Sequence, residues 1–95
     1  MISSPTIRFY NEGAMVARCT VSSNVNGQPQ SASSGDYTIG TQGSFSLSAA
    51  DTEMRVVCET NSGSGWNTVF DQTYPATSLT IVTIDHNQSI SVQQS

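Results

Sequence analysis

The chain has no lysine, and its only cations are Arg8, Arg18 and Arg55. Against them stand seven acidic residues, for a net charge of −4. A nucleic-acid binder displaces counterions from phosphates with clustered cations, so that class is excluded. Attraction to an anionic bilayer by charge is disfavoured by the same count. A partner surface has to be read through hydrogen bonds, aromatic contact or apolar insertion. No run is long and apolar enough to span a bilayer. Apolar residues do not recur at i, i+3, i+4 and i+7, so no helix of ordinary length is expected. The start, Met1-Ile2-Ser3-Ser4-Pro5, has neither the charged nor the apolar region of a secretory signal. The expected location is therefore secreted or cytoplasmic, without a visible signal peptide.

Hydrophobic residues make up 36% of the chain and charged residues 11%. Ser, Thr, Asn and Gln supply the missing polarity. Thr and the β-branched aliphatics favour strands, whereas Ser, Asn and Gly favour turns. At 95 residues the expectation is a single β-sandwich domain over 1–95, with 1–5 as a loose N-terminus. Strands are expected at about Thr6–Asn11, Ala14–Ser23, Gly35–Ile39, Ser44–Ala49, Glu53–Thr60, Trp66–Thr73, Ser78–Ile84 and Ser89–Gln94. Gln28–Ser34, poor in apolar residues, reads as a loop or an irregular edge. The fold class is all-β, a small antiparallel β-sandwich of about eight strands.

Alternation assigns the faces. Met15, Ala17, Cys19 and Val21 share one side, opposite Val16, Arg18 and Thr20. Met54, Val56 and Cys58 likewise oppose Arg55, Val57 and Glu59. Charge belongs outside, so Cys19 and Cys58 point into the core, where they form either a disulfide or two buried thiols. If every connection simply reverses the chain, alternate loops share an end. Asn11–Met15, Gly40–Gly43, Thr60–Gly65 and Asp85–Gln88 then gather at one pole.

The stretch Met54–Thr73 organises that pole. It reads as a strand, a tip (Thr60-Asn61-Ser62-Gly63-Ser64-Gly65) and a return strand that begins at Trp66, the single tryptophan. Gly and Ser leave the tip backbone open to close approach, and a large amphipathic ring beside such a loop suits surface recognition.

Two blocks carry a family resemblance. Gly13-Ala14-Met15-Val16-Ala17-Arg18 resembles the Gly-Ala-Tyr-Val-Ala-Arg/Gln segment of the membrane-binding C-terminal domain of cholesterol-dependent (thiol-activated) cytolysins. Trp66-Asn67-Thr68-Val69-Phe70-Asp71-Gln72-Thr73 resembles that family's Trp-Arg-Thr-Val-Tyr-Glu-Lys-Thr. The resemblance implies a stand-alone, divergent version of that β-sandwich, with loops at one tip that touch the membrane. The family's Trp-rich undecapeptide is shortened here to Glu59–Asn67 and keeps one tryptophan. Thr60 replaces its cysteine, and Asp85–Gln88 lacks the family's sterol-recognising Thr-Leu pair.

Catalytic and metal readings find no support. His86 sits between Asp85 and Asn87 in a polar turn with no nucleophile indicated. The two cysteines lack Cys-x-x-Cys spacing. No catalytic residue, metal or cofactor is expected, and the chain reads as not an enzyme. Asn87-Gln88-Ser89 fits the N-glycosylation sequon, a pattern that often arises by chance. The expected binding residues are Ala14, Met15, Asn61, Ser62, Gly63, Ser64, Gly65, Trp66, Asn67, Asp85, His86 and Asn87. Three functions fit them: a module that meets a membrane lipid or cell-surface ligand, a lectin-like glycan binder, or a structural protein that self-associates through strand edges. The partners to expect are accordingly a lipid or glycan, a second copy in a homodimer, or a pore-forming partner protein.

Overall fold

The computed structural model describes residues 2–95, and ten strands and no helix occur among the described residues. The strands are β1 (Ile2–Ser3), β2 (Thr6–Asn11), β3 (Val16–Val25), β4 (Gln28–Ser33), β5 (Gln42–Ser46), β6 (Ala49–Ala50), β7 (Glu53–Asn61), β8 (Trp66–Pro75), β9 (Leu79–Ile84) and β10 (Ile90–Gln94). One four-stranded sheet runs β4-β3-β7-β8 and is antiparallel throughout. The other runs β10-β9-β2-β5 and is mixed, because β2 and β9 lie parallel. The antiparallel expectation fails at that one pair for a topological reason. Between β2 and β9 the chain passes through the opposite sheet, so both strands enter from the same pole and no hairpin reverses them.

Period-two alternation builds the core. Ile7 and Phe9 of β2 and Val82 and Ile84 of β9 face Ala17, Cys19 and Val21 of β3 and Met54, Val56 and Cys58 of β7, all buried. Cys19 and Cys58 stand directly opposite each other across β3 and β7, 4.1 Å apart at Cα, and are joined as a disulfide. The amide of Cys19 donates to Ser34 Oγ and its carbonyl accepts from the Ser34 amide, both on the β4 side. The cysteine pair is thus of the non-hydrogen-bonded kind, the closer of the two antiparallel classes.

Several boundaries differ from expectation. Gln28–Ser33 is a full edge strand, held to β3 by main-chain pairing from Thr20 to Val25. Its register is set by the Asn26-Gly27 turn, where both residues have positive φ (51° and 79°), as a two-residue hairpin of the twisted type requires. An edge position also accommodates Pro29. Gly35–Ile39 is not a strand: Tyr37 alone bridges to Ala17, and the rest loops towards β5. The expected loose start is tied down, since Ile2–Ser3 pairs with Ala49–Ala50 and Pro5 is buried. Met1 lies outside the described residues.

Candidate functional site

The registers place all four singled-out connections at one pole. β2 and β9 both end there, and Glu12 N donates to the Ile84 carbonyl. Gln42 of β5 pairs with Tyr10, so the loop that precedes β5 joins them. In the other sheet Val16 pairs with Asn61 and Asn61 with Trp66, which puts the β7–β8 hairpin at the same end.

Asn11 holds this pole together, and sequence reading gave it no special role. Its side chain is wholly buried. Nδ2 donates to the Met15 carbonyl at 2.9 Å and to the Tyr37 carbonyl at 2.8 Å, while Oδ1 accepts from Gly13 N at 3.1 Å. Its main chain accepts from Gly40 N and donates to the Thr41 carbonyl. One amide therefore fixes both the β2–β3 connection and the 37–41 loop. Tyr37 closes the gap between the sheets: its ring stacks on Phe9 with centroids 5.5 Å apart, and a Cβ on Gly43 would collide with its hydroxyl.

Ile39 is the apolar group that this arrangement pushes outward. The Thr41 amide donates to the Thr38 carbonyl, and Gly40 has φ of 80°, so Ile39-Gly40 form the centre of a tight turn. Ile39 is 60% exposed at that turn. The reading of Gly35–Ile39 as a strand hid it; the signal that would have found it is the Ile-Gly pair inside a Thr-rich turn. Ala14 is exposed and Met15 half-buried in the neighbouring connection.

Trp66 is half-buried, and it lies on the outward face of β8 rather than in the interior. Arg18 covers it, with Cζ 3.9 Å from the ring centroid, and Arg18 Nε donates to Glu59 Oε1 at 3.0 Å. Cation, carboxylate and indole thus form a stacked trio across β3, β7 and β8. The second ion pair is Arg55 with Asp71. Arg55 donates Nε to Asp71 Oδ1 at 2.8 Å, and its NH2 group donates to Oδ2. These bonds hold the Asp71 carboxyl below its ordinary value and push the Arg55 guanidinium up.

The polar residues of the tip divide into builders and free groups. Asn61 Oδ1 accepts from Gly63 N at 2.8 Å, Ser62 and Ser64 hydroxyls lie 3.4 Å apart, and Gly63 and Gly65 have φ of 103° and 121°. Asp85 Oδ1 accepts from the amides of Asn87 and Ser89, each at 2.9 Å, so that oxygen shapes its own loop. His86 and Asn87 are exposed. Asn67 is exposed too, but it pairs with buried Thr60 and so points away from the Trp66 face. The loops share a pole; their side chains do not converge on one pocket.

The molecule is thus a β-sandwich built on two four-stranded sheets, with the four singled-out connections together at one pole. No protein-family model and no curated protein matches this sequence. Solved structures do match its fold. A Gram-negative toxin matches at TM-score 0.66 and 22% identity, over 97% of this chain and 23% of the toxin. Pneumolysin, described as a sugar-binding protein, matches at 0.63 and 18%, over 97% and 23%. A disulfide-locked intermedilysin solved with human CD59 matches at 0.61 and 12%, over 97% and 24%. The fold is therefore cytolysin-like, as the two sequence blocks imply, and the chain spans about a quarter of the length of each of these proteins.

Proposed function

We propose that this chain is a non-catalytic recognition module that meets a membrane or cell surface through its loop-bearing pole. The observation that carries the reading is the gathering of the four connections at one end with Ile39 projecting from them. Ile39, Ala14, Met15 and the edge of Trp66 supply apolar contact. Asn61, Ser62, Gly63, Ser64, Gly65, His86 and Asn87 supply hydrogen bonds around them, Asn67 does so from the opposite face of β8, and Asp85 shapes its own loop. The four connections carry no arginine and Arg18, beside Trp66, is paired with Glu59, so binding at the tip is not expected to depend on anionic lipid. Support comes from the likeness to toxins, one of which was solved with CD59.

A glycan held against Trp66 is the second reading, favoured by the polar tip and by the likeness to a pneumolysin described as sugar-binding. Flotation with phosphatidylcholine vesicles, with and without sterol, beside a glycan array tests the two. Ile39→Ser should abolish flotation while Trp66→Ala weakens it, both with unchanged far-UV spectra. Flotation that survives Ile39→Ser overturns the membrane reading, and glycan binding untouched by Trp66→Ala overturns the second.

A further inference from the structure

The outward face of the mixed sheet takes no part in the tip. On this face the register of the four strands places a single formal charge, Arg8. None of the seven acids falls there: Glu12, Asp36, Asp51 and Asp85 lie in connections, and Glu53, Glu59 and Asp71 on the antiparallel sheet. Arg18 and Arg55 are each bonded to a carboxylate, whereas Arg8 has no such partner among the described residues. Arg8 stands opposite Ser44, and Tyr10, two residues on, stands opposite Gln42. With the Gly43 backbone between them, these four side chains line a surface hollow of about 310 Å³.

We propose that this hollow binds a carboxylate-bearing sugar ring. A guanidinium presents a planar fork that matches a carboxylate with two parallel hydrogen bonds. Tyr10 is half-buried and lines the hollow, where its ring can offer an apolar face to the C–H side of a sugar. The Gln42 amide both donates and accepts, and the Ser44 hydroxyl does the same, as ring hydroxyls require. The volume sits at the small end of ligand sites, the size for one or two sugar rings. One cation balances one negative charge. A doubly charged phosphate is met in proteins by several donors or a helix N-terminus, and the described residues contain no helix. The chain's charge of −4 repels polyanions in addition.

The hollow lies on the flank just below the loop pole, since Asn11 and Thr41 directly follow and precede its residues. Arg8 is three residues from Asn11, or about 10 Å along the strand. The site is separate from Trp66, which is on the other sheet, so the proposal stands or falls independently of the tip.

The test is a titration of isotope-labelled protein with N-acetylneuraminic acid and glucuronic acid, followed by amide chemical shifts, with glucose and inorganic phosphate in parallel. Saturable shifts confined to Arg8, Tyr10 and the 42–44 segment are expected with the acidic sugars alone. Arg8→Gln should weaken them by at least about tenfold, the scale of one charge-assisted contact, and Tyr10→Ala should weaken them as well. Trp66→Ala should leave them unchanged. Arg8 is exposed, so Arg8→Gln is expected to keep the dispersed spectrum of the folded chain. Shifts of equal affinity with glucose or phosphate overturn the proposal. So do wild-type shifts in Arg8→Gln, or no saturable shift with either acid.

Discussion

The two sheets handle charge in opposite ways. The antiparallel sheet carries two of the three arginines on its outward face, and each is spent on a carboxylate, with Arg18 also lying on Trp66. The mixed sheet carries the third, which has no ion-pair partner among the described residues. The antiparallel sheet is also locked covalently, by a disulfide between its two central strands, whereas the mixed sheet is held by Ile7, Phe9, Val82 and Ile84 against the core. A charge that is paired contributes to structure, and a charge left unpaired on a neutral face is free for a ligand.

Breaking the covalent lock gives the largest expected effect. Cys19 and Cys58 are 39 residues apart, so the chain-entropy account assigns the bond about 4 kcal/mol. Cys19→Ala with Cys58→Ala should lower the urea midpoint accordingly, and an unchanged midpoint would mean that the mixed sheet alone dictates stability. Asn11→Ala comes next, at about 2 kcal/mol, because it leaves the buried Gly13 amide and two carbonyls without partners. Amide exchange should then speed up in the 37–41 loop before it does in β7. Trp66→Ala removes a half-exposed cation–π contact worth under about 1 kcal/mol, so thermal denaturation should register almost nothing.

The smallest effect is expected at Arg55–Asp71. The carboxyl of Asp71 is held low by the hydrogen bonds from Arg55. A group whose folded value is lowered stabilises above its unfolded value, near pH 4, and that stabilisation is lost as pH falls through the folded value. The pair is exposed, so salt screens it. Asp71→Asn should match the parent at pH 2 and fall below it only slightly at pH 7 in low salt. A large gap at pH 7 would show this face to be as tightly organised as the core.

Much of this was legible residue by residue. Alternation alone assigned Ala17, Cys19, Val21, Met54, Val56 and Cys58 to one interior, and reversal counting put the four loops at one pole. The edge strand Gln28–Ser33 was not legible, because its pairing is made by backbone groups that every residue carries and its side chains show no apolar rhythm. Ile39 was missed for the converse reason. An apolar residue two positions after Tyr37 looks like the end of a strand until Gly40 turns the chain.

Local chemistry determined the strand faces, the turns at Asn26-Gly27 and Gly40, and the scarcity of cations, since each depends on near neighbours or on simple counting. The parallel placement of β2 beside β9, the meeting of Cys19 with Cys58, and the buried amide of Asn11 between two loops were decided by the tertiary structure. So was the isolation of Arg8. Which strands become neighbours depends on how two sheets bury their apolar faces against each other, and that balance is struck over the whole chain at once.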